Sequence, residues 1–108
     1  MLKEGDVMEL ELEIMEIITN AGESKSEAMI ALQHAKKGEW EACDNALLRS
    51  REAASRAHGV QTKLIGMDEG EGKIPVTLVM VHAQDHLMTS MLANDLIKEM
   101  IEVYRNKV

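Results

Sequence analysis

Phenylalanine is absent from the 108 residues, and tryptophan and tyrosine occur once each, as Trp40 and Tyr104. Sheet cores draw on aromatic and β-branched side chains, so this scarcity disfavours a β-sandwich or barrel. A single cysteine, Cys43, has no partner for an internal disulfide. Basic charge is also short: 12 Lys and Arg against 19 Asp and Glu leave a formal charge of −7. No basic patch gathers those cations, which disfavours nucleic acid or an anionic membrane as a partner. The longest nearly uncharged stretch, Ile74 to Ile97, is interrupted by His82, Gln84, Asp85, His86 and Asn94, too polar for a membrane span. Met1 to Asp6 lacks a basic segment leading into an apolar one. The expectation is a soluble chain, most simply cytoplasmic.

What is present favours helix. The apolar fraction is 45% and the charged fraction 29%, ordinary globular values for one small domain spanning residues 1–108. Nine methionines join Leu, Ala, Glu and Lys, all good helix formers. Three helical segments are predicted. The first covers about Val7 to Lys37, with Leu10, Ile14, Ile17, Ala21, Ala28, Leu32 and Ala35 on one stripe and Met15, Ile18 and Met29 widening it. Asn20-Ala21-Gly22 is a weak point, read as a bend or a thin packing spot, and Lys36-Lys37-Gly38 is a stop signal. The second covers about Glu39 to Ile65, with Trp40, Cys43, Leu47, Ala54, Ala57 and Leu64 inward and Ser50 and Gln61 interrupting the stripe. Residues 66–75, with three glycines, three carboxylates and Pro75, read as a flexible acidic loop.

The third segment, Val76 to Arg105, carries apolar residues around most of its circumference, including Leu78, Val79, Met80, Val81, Leu87, Met88, Leu92, Leu96 and Ile101. A helix apolar on nearly all sides is buried on nearly all sides. Two other helices of about 45 Å shield only part of it, so the pattern predicts that the rest faces another copy of the chain.

Chemistry concentrates in this helix, at His82-Ala83-Gln84-Asp85-His86. His82, Asp85, His86 and Thr89 fall at i, i+3, i+4 and i+7 and share a face. Burying two imidazoles and a carboxylate in an apolar helix costs free energy unless each finds a partner. Three readings stay open. An Asp–His hydrogen bond can sit satisfied in a core. Two histidines four residues apart can grip a metal, although a zincin has Glu directly after its first His, and Ala83 stands there. Third, a neutral imidazole can take a phosphoryl group on one nitrogen while the other is held, with Gln84, His86 and Thr89 as flanking groups. His34, beside two lysines at a helix C-terminus, and His58, among small residues, read as structural, with His58 partly buried. Cys43 has no adjacent His or cationic cluster and reads as a buried, inert thiol. The Gly66–Gly72 stretch lacks the Gly-Lys-Ser/Thr ending of a P-loop, and its carboxylates repel phosphate.

The run from Val76 to Leu92, with His82-Ala83-Gln84-Asp85-His86-Leu87-Met88-Thr89 at its centre, resembles the IIA component of the lactose/cellobiose/chitobiose class of the bacterial sugar phosphotransferase system. Val60 to Ile65, Gly70 to Lys73 and Asn20 to Gly22 are also similar to that family, so the resemblance covers nearly the whole chain. It implies an antiparallel three-helix bundle per subunit and a homotrimer of nine helices. His82 is then the phosphoryl acceptor, charged by phospho-HPr and discharged to a cysteine of the sugar-specific IIB component. Asp85 is implied to face the three-fold axis, where three copies hold one Mg2+, and Gln84 and His86 to line or support the site beside the flanking Thr89. No organic cofactor is implied. Three converging carboxylates raise one another's pKa unless a cation neutralises them, and oxygen ligands suit Mg2+ better than zinc. The alternative function is a helical adaptor or metal-binding bundle without transfer chemistry.

Overall fold

The computed structural model describes residues 3–107, which form three helices: α1 (Glu4–Lys36), α2 (Trp40–Asp68) and α3 (Leu78–Arg105). The all-α expectation holds. The helices lie along a rod of 60 × 21 × 20 Å. Lys63 on Glu13, Arg56 on Glu23 and Arg49 on Glu27 order α1 against α2 in antiparallel sense. Asn94 on Ser24 sets α3 parallel to α1, and Gln61 on Gln84 sets it antiparallel to α2. Both α2 and α3 pack along α1 and meet each other only slightly.

Alanine makes α1 suitable as the shared partner. Ala21, Ala28, Ala31 and Ala35 face Ala46, Ala53, Ala57 and Ala83, all buried, and such small residues let helix axes approach closely. Larger side chains fill two clusters. One joins Leu10, Ile14, Ile17, Leu64, Ile74, Met80 and Leu87, and the other joins Leu32, Cys43, Ile97 and Ile101, with Trp40 and Leu47 packed against it. The predicted α1 stripe is buried throughout. The two widening methionines are not: Met15 is 52% exposed and Met29 43%, because one row of small residues closes the contact. In α2 Ala53 is buried where Ala54 was expected, and Ala54 is half-buried.

The helix ends follow local chemistry. Gly38, at φ +73, takes the left-handed turn after α1, its N–H donating to the Ala35 carbonyl. The chain passes through Asn20-Ala21-Gly22 without a break, since α1 is a single helix and Ala21 is fully buried. α2 continues through Gly66 and Met67 to Asp68, beyond the predicted end at Ile65. The connection then runs over residues 69–77, and the Asp68 carboxylate accepts from the Ile74 N–H at 2.9 Å and the Gly72 N–H at 3.3 Å. Thr77 caps α3 by accepting from the Met80 N–H at 3.2 Å, which moves the helix start from Val76 to Leu78.

At the far end, Arg105 spans two elements. Its guanidinium lies over the Trp40 ring at 4.7 Å and bonds the Asp44 carboxylate, fastening the end of α3 to the start of α2. Burial pushes the Cys43 thiol up from its ordinary value, as expected of an inert cysteine.

Candidate functional site

On α3, Met80, Ala83, Leu87, Ser90, Asn94, Ile97 and Ile101 are the buried residues, a single stripe spaced at threes and fours. The opposite stripe is also apolar and lies open. Leu78 is 86% exposed and Leu92 59%, with Val81, Met88, Leu96 and Val103 in the same condition. Asp85 falls in the middle of this second stripe and is exposed. The helix is therefore amphipathic toward α1 and apolar toward solvent, which no isolated soluble helix favours.

His82 and His86 stand between the two stripes. Their rings stack with centroids 5.8 Å apart and planes 9° from parallel. His82 is exposed, and His86 is half-buried against Gly22 of α1, where an added Cβ stands 3.4 Å from Nε2. The weak spot in α1 thus has a purpose: the missing side chain makes room for an imidazole. Val79, three residues before His82 on α3, is exposed, as is Met15 on α1.

The five residues of the expected site do not converge on one point. Gln84 turns toward α2 and accepts from Gln61 Nε2 at 2.6 Å, away from the imidazoles. Thr89 Oγ1 donates to its own helix, at 2.9 Å from the Asp85 carbonyl and 3.2 Å from that of His86. Asp85 makes no side-chain hydrogen bond to a histidine among the described residues, so the satisfied Asp–His core pair is not the arrangement here. Asp85 and Gln84 instead border an open cleft of about 680 Å³, walled by Leu64, Ile74, Met80 and Val81. His34 bonds Glu39 at 2.8 Å across the α1–α2 turn. The expected partial burial of His58 is not found: it is exposed at a groove beside Met91 and Lys98, because α2 and α3 meet only slightly and leave it uncovered.

Among the described residues, no three His, Cys, Asp or Glu side chains lie together to hold a metal. Asp68 is the other carboxylate bordering the Asp85 cleft, too few ligands to hold a metal within one subunit, so a metal there requires other copies to bring theirs. An exposed oxygen ligand centred on an apolar stripe fits such a shared hard-cation site.

Residues 12–105 match the family described as PTS system, lactose/cellobiose specific IIA subunit. The chain belongs to this family. It is 54% identical over 96 residues to the N,N'-diacetylchitobiose-specific EIIA component of Escherichia coli K12, covering 89% of this chain and 83% of that protein. The cellobiose-specific enzyme IIA of Bacillus anthracis superposes with a TM-score of 0.84 at 34% identity, over 97% of this chain and 92% of that one. IIA(chitobiose), solved in complex with HPr from the Escherichia coli phosphotransferase system, superposes with a TM-score of 0.77 at 52% identity, over 89% of this chain and 93% of that one. This IIA subunit is accordingly a phosphotransferase component, a phosphoryl carrier in disaccharide uptake. No helix in its described residues is long and apolar enough to cross a membrane.

Three features escaped the sequence reading. Glu13 is an acidic side chain in a buried place, with Lys63 on one carboxyl oxygen and no partner on the other. Its place on the inward stripe beside Ile14 was the available signal. Ser24, Ser50 and Asn94 form a buried polar layer, signalled only by Ser50 interrupting an apolar stripe. Thr77 three residues before Met80 was a legible helix cap.

Proposed function

We propose that His82 accepts a phosphoryl group from phospho-HPr and passes it to the cysteine of a IIB component. The observation that carries this reading is an exposed imidazole on a rigid helix, stacked on a second imidazole and bordered by exposed apolar side chains. A ring nitrogen of His82 presents its lone pair to phosphorus. The new N–P bond forms as the bond from phosphorus to the donor's leaving atom breaks, and the bonding pair departs with the donor. Discharge runs the same way: the cysteine thiolate forms the S–P bond and the imidazole leaves with the N–P pair. Neither step needs an oxidant, and the protein's task is positioning. One nitrogen must serve both partners, so donor and acceptor dock in turn on the same surface, where Met15 and Val79 offer apolar contact.

The assembly proposed for this work is a homotrimer built on the open α3 stripe, in the cytoplasm, with Asp85 of each copy on the axis around one Mg2+. When bound, the ion supplies positive charge that lets three carboxylates share a small space. The sugar class follows the relatives, with chitobiose favoured by the 54% identity to the diacetylchitobiose-specific protein.

The decisive experiment is His82→Gln incubated with phospho-HPr. The expected result is no mass gain of one phosphoryl group and an unchanged helical spectrum, while the parent protein gains an acid-labile phosphate. A phosphorylated glutamine variant, or an acid-stable phosphate on the parent, overturns the assignment.

A further inference from the structure

Midway along the rod, a polar layer separates the two apolar clusters: Ser24, Ser50, Ser90 and Asn94, all buried. Ser24 and Ser50 bond each other reciprocally, with their hydroxyl oxygens also 3.2 Å apart. Ser24 Oγ donates to the Ser50 carbonyl at 2.9 Å, and Ser50 Oγ donates to the Ser24 carbonyl at 2.7 Å. With its only proton committed, Ser24 Oγ accepts from Asn94 Nδ2 at 2.6 Å. The amide is thereby fixed with Oδ1 turned away, and that oxygen has no partner.

Ser90 Oγ is also buried without a partner. A helical serine ordinarily falls back on the carbonyl four residues earlier, here that of His86. The Thr89 hydroxyl already donates to that carbonyl at 3.2 Å, in addition to the helix ladder. Ser90 and Asn94 are four residues apart and so neighbours on one face. They continue the row that begins with His82 and His86, and the His86 ring nitrogens take no hydrogen bond from protein among the described residues.

We infer that a water molecule binds between Ser90 Oγ and Asn94 Oδ1 and that, through it, Ser90 and Asn94 position the His82/His86 pair. The inference rests on His82 as the phosphoryl acceptor. The water donates one proton to Asn94 Oδ1 and accepts the Ser90 hydroxyl proton. Its second proton is available to the His86 imidazole one turn away. Polar buried pairs of this kind hold ordered water. Stacking alone leaves the His86 ring free to choose its tautomer, whereas a hydrogen bond selects one.

The test uses the full chain. NMR of the unphosphorylated protein is expected to show a long-residence water with cross-peaks to Ser90 and Asn94, lost in both Ser90→Ala and Asn94→Leu. Single-turnover transfer from phospho-HPr is expected to slow about tenfold in these variants at saturating donor, with the half-saturating concentration unchanged, a size typical of small misplacements of a reacting group. Ser50→Ala is the control: it loosens α1 from α2 and leaves Ser90 and Asn94 in place, so its transfer rate is expected to stay close to that of the parent. No long-lived water in the parent, or one retained in both variants, overturns the site. Unchanged rates, or an equal loss in Ser50→Ala, overturn the positioning role. The water measurement involves no phosphoryl donor, so it stands apart from a failure of His82 to be phosphorylated, which removes the positioning role alone.

Discussion

Gly22 of α1 and His86 of α3 approach so closely that a Cβ on the glycine stands 3.4 Å from the imidazole Nε2. The contact joins the first helix to the histidine pair, and beyond the glycine's own stretch of helix no other atom of the described residues lies within 4 Å of that Cβ. A single methyl fits at ordinary contact distance, while a branched side chain does not.

Gly22→Ala is therefore expected to raise stability by up to about 1 kcal/mol, since alanine favours a helix interior, and to leave phosphoryl transfer close to that of the parent. Gly22→Val is expected to push the His86 ring aside and slow transfer at saturating donor. Denaturant melts and single-turnover rates check both. Equal transfer in the parent and the valine variant contradicts the steric account.

If the proposed trimer and its axial metal form, Asp85→Leu is expected to abolish metal retention and to preserve or tighten that trimer, because an apolar axis removes carboxylate repulsion and its dependence on a cation. Metal analysis and light scattering measure the two effects. A monomer shows instead that the ion is the main bond between copies.

Leu87 is fully buried where α3 meets α1. Leu87→Ala is expected to cost about 2–5 kcal/mol, the transfer free energy of the lost atoms plus the cavity left between closely packed helices. Equilibrium unfolding measures it, and a loss below about 1 kcal/mol means that the helices collapse to fill the space.

Glu39 gives an acid-side signature. Its hydrogen bond from His34 holds the carboxyl below its ordinary value of 4.5, despite some opposing desolvation, with the charges of His34 and Lys37 adding to the effect. A carboxyl with a lowered folded-state pKa contributes stability above its unfolded value that is lost as pH falls through the folded one. The parent is thus expected to lose more thermal stability than Glu39→Gln as pH falls below 4.5. The two proteins should run parallel between neutral pH and 5, and parallel curves throughout mean that the His34 bond is not held in solution.

Periodicity made the three helices and their inward faces legible, because burial against a neighbour imposes spacing at threes and fours on any helix. Leu10, Ile14, Ile17 and Ala21 are inside as that spacing requires. The same arithmetic detected the excess of apolar surface on α3, and the exposed Leu78, Val81 and Leu92 carry it. The candidate site around His82 stood out for a different reason: two imidazoles and a carboxylate in an apolar helix contradict its pattern.

Direction around the helix was harder to read. Gln84, His86 and Thr89 share the neighbourhood of His82 in sequence, yet only His86 touches its ring. Gln84 faces α2 because Gln61 is there, and Thr89 bends to its own backbone. Such choices depend on residues far along the chain, as does the pairing of Ser24 with Ser50 and Asn94.

The order of residues alone determined an aliphatic three-helix chain with one chemically odd passage, since composition and local spacing act over a few turns. Tertiary packing decided which side of α3 is closed by α1 and which stays open, where Gly22 admits an imidazole, and which buried polar atoms find partners. Those outcomes are set by distances between helices, and distances arise only when the helices meet.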